Sequence, residues 1–289
     1  MAANGHIALL FPGQGSQDPD MREQVERHRP DLLELARAEV GDDLFERVAD
    51  GTRWAQPAIF CAALAGFDVL RDRVEPDFMA GHSLGEIAAL AAADALTAED
   101  ALRLVAARGR LMQEAAERSA DGGMVAVRAR ERRWVEAVAR ECGLTVANDN
   151  APDQLVLSGS DVDLEAAEER LREAGVRAKR LPVAGAFHSP LMEPVVEPFR
   201  ALVMETEVRE PRVPVLSCVT AEPFDDVRER LVQAITHPVR WLEVMRALEE
   251  RGVTRYVETG PGRVLANLVR KSLDGVEADA PLAMEAANA

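Results

Sequence analysis

The chain has 289 residues, 47% of them hydrophobic and 29% charged, a composition that suits a globular protein with room for one large domain, or one domain with a second inserted into it. Its formal net charge of −16 lacks the basic footprint that phosphate backbones require, which excludes nucleic acid as the main partner. No run approaches the roughly 20 apolar residues of a membrane-spanning helix, and the first residues have no basic start, so neither a membrane span nor a signal peptide is read and a cytoplasmic protein is expected.

In chain order, His6–Phe11 is a short apolar strand ended by Pro12-Gly13. Residues 20–50 and 54–73 read as helices. Phe78-Met79-Ala80 is a strand running into Gly81-His82-Ser83-Leu84-Gly85, and the alanine-rich stretch from Glu86 to Ala93 favours helix. Thr97 to Arg118 is a further helix, with Thr97, Glu99 and Asp100 suited to its N-terminus. This alternation predicts an α/β fold with a largely parallel sheet.

The middle of the chain differs. Strand 123–128, helix 131–142, strands 144–148 and 154–158 around a turn at 149–152, helix 163–175 and strand 178–183 follow the order β-α-β-β-α-β. That is the ferredoxin-like split unit. Residues 121–186 are expected to form a small domain inserted into a catalytic domain made of residues 1–120 and 187–289. Beyond it come a helix at 190–203, a strand at 213–219, helices at 227–235 and 241–251, and a strand at 255–258.

Three cysteines, Cys61, Cys142 and Cys218, are odd in number and widely spaced. No CxxC or Cys/His cluster accompanies them, so they read as buried reduced thiols, and no metal site is expected.

Gly81-His82-Ser83-Leu84-Gly85 is G-x-S-x-G between a strand and a helix, the nucleophile elbow. Flanking glycines permit a sharp turn that exposes the serine, and the helix N-terminus behind it adds positive potential. The Leu84 N–H is then placed to stabilise an oxyanion. The plainer alternative is a serine helix cap in a glycine turn. A serine nucleophile needs a base. Of the five histidines, His28 sits at a charged helix end, His6 precedes the first strand, His82 adjoins the serine and His237 precedes Pro238. His188 follows a strand and precedes a helix, where α/β proteins keep functional side chains; a hydrogen-bonded structural histidine is the alternative. Arg108 lies mid-helix among apolar residues and beside Gly109. A mid-helix glycine costs about 1 kcal/mol, which points to a close approach there, while an exposed helix arginine is the bland alternative.

With these residues assembled, the sequence resembles the malonyl-CoA:acyl carrier protein transacylases of fatty acid synthesis and the related acyltransferases of polyketide synthesis. The matching pieces are Phe11-Pro-Gly-Gln-Gly-Ser-Gln17, Gln56-Pro57, Gly81 to Glu86, Arg108-Gly109 with Met112-Gln113, Asn148 through Gly159, Gly185 to Ser189, Pro238 to Trp241 and Glu258 to Gly262, in the family's order. The resemblance implies a hydrolase-like α/β core with a ferredoxin-like insertion. It implies Ser83 as nucleophile and His188 as general base, held by a backbone carbonyl near Ala234. Gln14 and the Leu84 N–H would form the oxyanion hole, and Arg108 would bind the free carboxylate of a malonyl group bidentately, as lysine cannot. Gln56, His82, Asn148 and Phe187 would line the pocket. A bulky residue at Phe187 goes with malonyl preference, since its ring leaves less room for an α-methyl group, and Leu84 fits the same preference.

By the same resemblance, malonyl-CoA and an acyl carrier protein are the expected partners. Coenzyme A enters as a thioester substrate, with no cofactor. Arg177, Lys179, Arg180, Arg270 and Lys271 are candidate carrier-docking cations, against the alternative of scattered solvated charges. A monomeric, discrete enzyme is expected. Two other classes compete: an acyl hydrolase, which has no need of a carboxylate clamp at Arg108, and a non-catalytic carrier-binding module, which has no need of Gln14, Ser83 and His188 together. A transferase for another carboxylated acyl unit of polyketide assembly is the nearest variant.

Overall fold

The computed structural model describes residues 5–41, 44–119, 121–183 and 185–282. Residues 1–4 and 283–289 of the expected catalytic region lie outside the described residues, as do residues 42 and 43 of the expected helix at 20–50.

Strand β1 (His6–Phe11) leads to α1 (Met21–His28), α2 (Pro30–Glu39) and, after a 3₁₀ turn, α3 (Thr52–Leu70). Strand β2 (Phe78–Gly81), α4 (Gly85–Ala92) and α5 (Ala98–Ser119) follow. The middle segment is β3 (Gly122–Arg128), α6 (Arg132–Glu141), β4 (Thr145–Ala151), β5 (Gln154–Ser160), α7 (Asp161–Glu173) and β6 (Arg177–Arg180). A 3₁₀ turn at Pro190–Met192 opens α8 (Glu193–Glu205). Then come β7 (Val215–Leu216), α9 (Val227–Gln233), α10 (Trp241–Glu250), β8 (Val253–Glu258), α11 (Val264–Ser272) and β9 (Glu277–Asp279).

The first sheet has the order β7-β2-β1-β8-β9, and every pairing in it is parallel. Such a sheet is covered on both faces, so its strands read as unbroken apolar runs. β1 shows why: alternate side chains point to opposite faces. Leu9 and Phe11 enter a core with α3, α4 and α5. Ala8 and Leu10 enter a second core with α10 and α11.

The second sheet has the order β4-β5-β3-β6 and is antiparallel throughout, the ferredoxin-like strand order. Val125, Val127 and Leu157 point into a separate small core under α6 and α7, with Val135, Val138 and Leu164. Met124 and Val156 point the other way, into the main core. This two-faced sheet forms one wall of the cleft described below.

Four expectations need correction. The single helix at 20–50 is instead α1, α2 and a 3₁₀ turn. Proline disfavours helical geometry in the residue before it, and Arg29 has φ −142° with Pro30 opening a new helix. The strand at 213–219 shrinks to β7, because Ser217 N–H turns back to Glu222 O and Cys218 N–H goes to the Glu86 carboxylate. The turn at 149–152 is tighter, since β4 runs on to Ala151. Cys61 and Cys218 are buried, but Cys142 is only half-buried. Burial pushes the Cys61 thiol up to about 12. The sequence reading passed over α11 and β9 entirely.

Candidate active site

The parallel strands β1, β2 and β8 end on one side of the sheet, where doubly wound sheets place ligands. At the end of β2 the chain turns through Ser83, held at φ +55°. That left-handed conformation costs a non-glycine residue of order 1–3 kcal/mol and marks functional turns. The elbow closes because Gly81 and Gly85 lack side chains. A Cβ at Gly81 would lie 2.0 Å from the Gly85 carbonyl, and one at Gly85 would lie 2.1 Å from Phe11 O. The turn is held by hydrogen bonds from Gly85 N to His82 O, Glu86 N to Ser83 O and Ile87 N to Leu84 O. None of these uses the Leu84 N–H at the head of α4.

Ser83 Oγ and His188 Nε2 are 2.8 Å apart. His188 Nδ1–H donates to Ala234 O at 2.8 Å. A carbonyl just past the end of α9 is one of the acceptors a helix leaves unpaired, so no carboxylate is required to fix the ring. That bond puts the proton on Nδ1 and leaves the Nε2 lone pair facing the serine. Like Ser83, His188 has a left-handed backbone, φ +56°. It is 5% exposed, and burial, together with the charge of Arg108, drives its pKa down to about 3.

Arg108 projects from α5 into the same cleft. Its Nη2 donates to Ser83 Oγ at 3.1 Å and its Nη1 to Gln56 Oε1 at 2.7 Å. The close approach expected at Gly109 is real. A Cβ there would lie 2.8 Å from Thr52 O, so α5 packs directly on the first turn of α3. Burial lowers the guanidinium to about 10, still cationic at neutral pH. Glu86, in the first turn of α4 and buried, acts on Arg108 through space. Its own carboxyl is pushed up to about 7 by burial and is opposed by a hydrogen bond from Cys218 N–H at 2.6 Å.

Gln14 follows β1, and its Oε1 accepts from Thr52 Oγ1 at 2.8 Å. Gln14, Gln56, His82, Asn148 and Phe187 line a cleft of about 270 Å³ together with Ser83, His188 and Arg108. The expected catalytic and pocket residues, Leu84 among them, are therefore together. Two neighbours were not singled out from sequence. Asn150 bonds His82 Nε2 at 2.8 Å through Oδ1, holding that ring edge-on against Trp241 with 5.5 Å between ring centroids. Thr52 joins Gln14 to Gln56. The signal for Asn150 was its place two residues after Asn148 on one strand; nothing in the sequence marked Thr52.

The five expected docking cations do not form one patch of free charge. Arg180 is bound by Asp161 and Glu168, and Lys271 by Asp153. Arg270 donates to Ala278 O. Arg177 and Lys179 instead line a shallow cleft of about 820 Å³ on the edge strand β6, beside Arg128.

Comparison with known proteins places this geometry in context. The polyketide biosynthesis protein ThaF of Burkholderia thailandensis is 40% identical over 281 residues, which are 92% of this chain but 24% of that protein. The malonyl CoA-acyl carrier protein transacylase of Bacillus subtilis is 36% identical over 285 residues, 92% of this chain and 90% of that one. Among solved structures, the malonyl-CoA:acyl carrier protein transacylase of Xanthomonas oryzae superposes with a TM-score of 0.90 at 32% identity, over 99% of this chain and 98% of the other. A malonyl-transacylase in complex with its type II polyketide acyl carrier protein gives 0.87 at 31%, over 95% and 96%. The acyl transferase domain model matches residues 9–284. With a serine elbow, a buried histidine and a buried arginine in one cleft, and that match across nearly its whole length, the chain belongs to the acyl transferase domain family.

Proposed function

We propose that this acyltransferase moves a malonyl group from malonyl-CoA to the phosphopantetheine thiol of an acyl carrier protein, through an ester on Ser83. One observation carries the reading: the Arg108 guanidinium lies 3.1 Å from the nucleophilic oxygen. A malonyl thioester has its free carboxylate one methylene from the reacting carbonyl, so a cation beside Ser83 suits a short diacid.

His188 Nε2 takes the proton as Ser83 Oγ attacks the thioester carbonyl. The oxyanion that forms is met by Gln14 together with the Leu84 N–H. The C–S bond breaks and coenzyme A leaves as its thiol, taking the proton back from His188. The carrier's thiol then gives its proton to His188 and attacks the ester, and Ser83 is released as the hydroxyl. Arg108 holds the distal carboxylate in both steps. Phe187 in the cleft wall favours malonyl over α-methylated units, a discrimination limited to about 1–3 kcal/mol. The relatives named for malonyl transfer support this reading. The polyketide relative supports a second, transfer of another carboxylated unit in polyketide assembly, which uses the same residues.

The test is transfer itself. Malonyl-CoA is incubated with catalytic protein and a carrier with or without its phosphopantetheine arm. Malonyl on the armed carrier alone, lost in Ser83→Ala, is expected. Free malonate with no malonyl-carrier would favour hydrolysis.

A further inference from the structure

Among the described residues, the buried arginine of the cleft is hydrogen-bonded to neutral partners, Gln56 Oε1 at 2.7 Å and Ser83 Oγ at 3.1 Å, while Glu86 acts on it through space. We propose that Thr52 is a positioning residue for this arginine: its hydroxyl fixes which end of the Gln56 amide faces Arg108, and so holds the guanidinium in place for a carboxylated acyl group. The proposal rests on Arg108 receiving the malonyl carboxylate.

An amide has two unlike ends, and a guanidinium tolerates only one of them. Arg108 carries donors alone, so the Gln56 oxygen can hold it, whereas the Gln56 NH₂ group would set donor against donor. A neutral oxygen also holds the guanidinium without cancelling the charge that a substrate carboxylate needs. Which end points to Arg108 is decided on the other side of the amide. Gln56 Nε2 donates to Thr52 Oγ1 at 2.8 Å and to Met112 Sδ at 3.4 Å. A hydroxyl can accept or donate there, but the single proton of Thr52 goes to Gln14 Oε1 at 2.8 Å, so Oγ1 turns a lone pair to Gln56. The run from Gln14 to Arg108 therefore has one direction.

Thr52 itself is fixed. It is 2% exposed and stands one helical turn before Gln56 on α3, where side chains four residues apart meet. Its N–H donates to Gln113 Oε1 on α5 at 3.0 Å, and a Cβ on the preceding Gly51 would lie 2.4 Å from that same oxygen. The start of α3 is thereby locked onto the helix that carries Arg108. With both backbones held, the turn of the Gln56 amide is a freedom that remains, and the Thr52 hydroxyl removes it.

The test compares single-turnover acylation of Ser83 by malonyl-CoA and by acetyl-CoA in the native chain, Thr52→Val, Thr52→Ser, Arg108→Ala and the Thr52→Val/Arg108→Ala double variant. Acetyl-CoA has no free carboxylate, so it reports on the nucleophile and its base without the clamp. Thr52→Val leaves the Gln56 NH₂ group without its oxygen acceptor. With malonyl-CoA well below saturation, it should slow malonyl acylation about tenfold and change acetyl acylation less than about twofold, and Thr52→Ser should restore the malonyl rate. In the Arg108→Ala background, Thr52→Val should cost malonyl acylation less than about twofold more, because the group it positions is gone. Full malonyl activity of Thr52→Val, an equal loss with both thioesters, or losses that multiply in the double variant would overturn the proposal. If Arg108→Ala itself takes malonyl at the native rate, the carboxylate-clamp reading fails and the proposal falls with it. Thr52→Ala, which removes the same hydroxyl, serves in the same comparison if the valine variant does not fold.

Discussion

His188, the base of the proposed mechanism, is kept unprotonated by its surroundings. Burial and the neighbouring Arg108 hold its pKa near 3, below the ordinary value near 6.5. The neutral form is the reactive one, so activity can fall on the acid side only as His188 gains a proton. Acylation of Ser83 should therefore be flat from about pH 5.5 to 8, where an ordinary histidine would give a tenfold decline at pH 5.5. Single-turnover rates across that range check it, and an acid limb centred near 6.5 would contradict it. Arg108 makes the second claim at this scale. Charge-assisted hydrogen bonds are worth roughly 1.5–3 kcal/mol each, so Arg108→Ala should slow malonyl acylation by about 10²-fold or more. Arg108→Lys should not restore it, because a point charge cannot form the paired bonds. Restoration by lysine would show that charge alone matters.

The elbow works as an element because β2 and α4 approach more closely than side chains allow. Gly85→Ala would drive a methyl group into the Phe11 carbonyl. A loss of at least about 2 kcal/mol is expected from such overpacking, with Ser83 no longer acylated; a thermal melt and an acylation assay together check this. The elbow was legible from sequence because glycine spacing carries the geometry directly. So was the Ala234 carbonyl as the partner of His188, through family resemblance, although nothing about alanine announces it. The break between α1 and α2 was signalled by Pro30 and overridden by helical periodicity on either side. The strand at 213–219 read too long because Ser217 N–H turns back to Glu222 and Cys218 N–H serves Glu86, the latter a partner that lies far away in sequence. Thr52 was invisible for the same reason: it meets Gln14 on the loop after β1 and Gln113 on α5, both distant in sequence.

Across the whole molecule, the proposed transfer brings an acidic chain, of net charge −16, against an acyl carrier protein, a partner class that is itself acidic. Most of the expected docking cations are already engaged internally. Arg177 and Lys179 are not in ion pairs among the described residues. Arg128 stands directly opposite Arg177 in the β3–β6 ladder, and like charges so placed destabilise a sheet. That arrangement favours docking on this edge over the Arg270–Lys271 end of α11. Arg177→Glu with Lys179→Glu should raise KM for the carrier several-fold and weaken its salt dependence, leaving acylation by malonyl-CoA unchanged. Unaltered carrier kinetics would move docking elsewhere. The parallel sheet and the antiparallel insertion were both readable from sequence, as strand–helix alternation and as the β-α-β-β-α-β order. The cleft between them was not, because it is made by the face of the small sheet, with Met124 and Val156, meeting the loops of the large one.

The most direct measurement is the intact mass of the protein after brief exposure to malonyl-CoA, acetyl-CoA or methylmalonyl-CoA, for the native chain, Ser83→Ala and Arg108→Ala. A malonyl adduct on the native chain, absent in Ser83→Ala, sharply reduced in Arg108→Ala and accompanied by little acetyl adduct, is the expected result. An acetyl adduct that forms readily, turns over to free acid and is indifferent to Arg108 would contradict malonyl transfer.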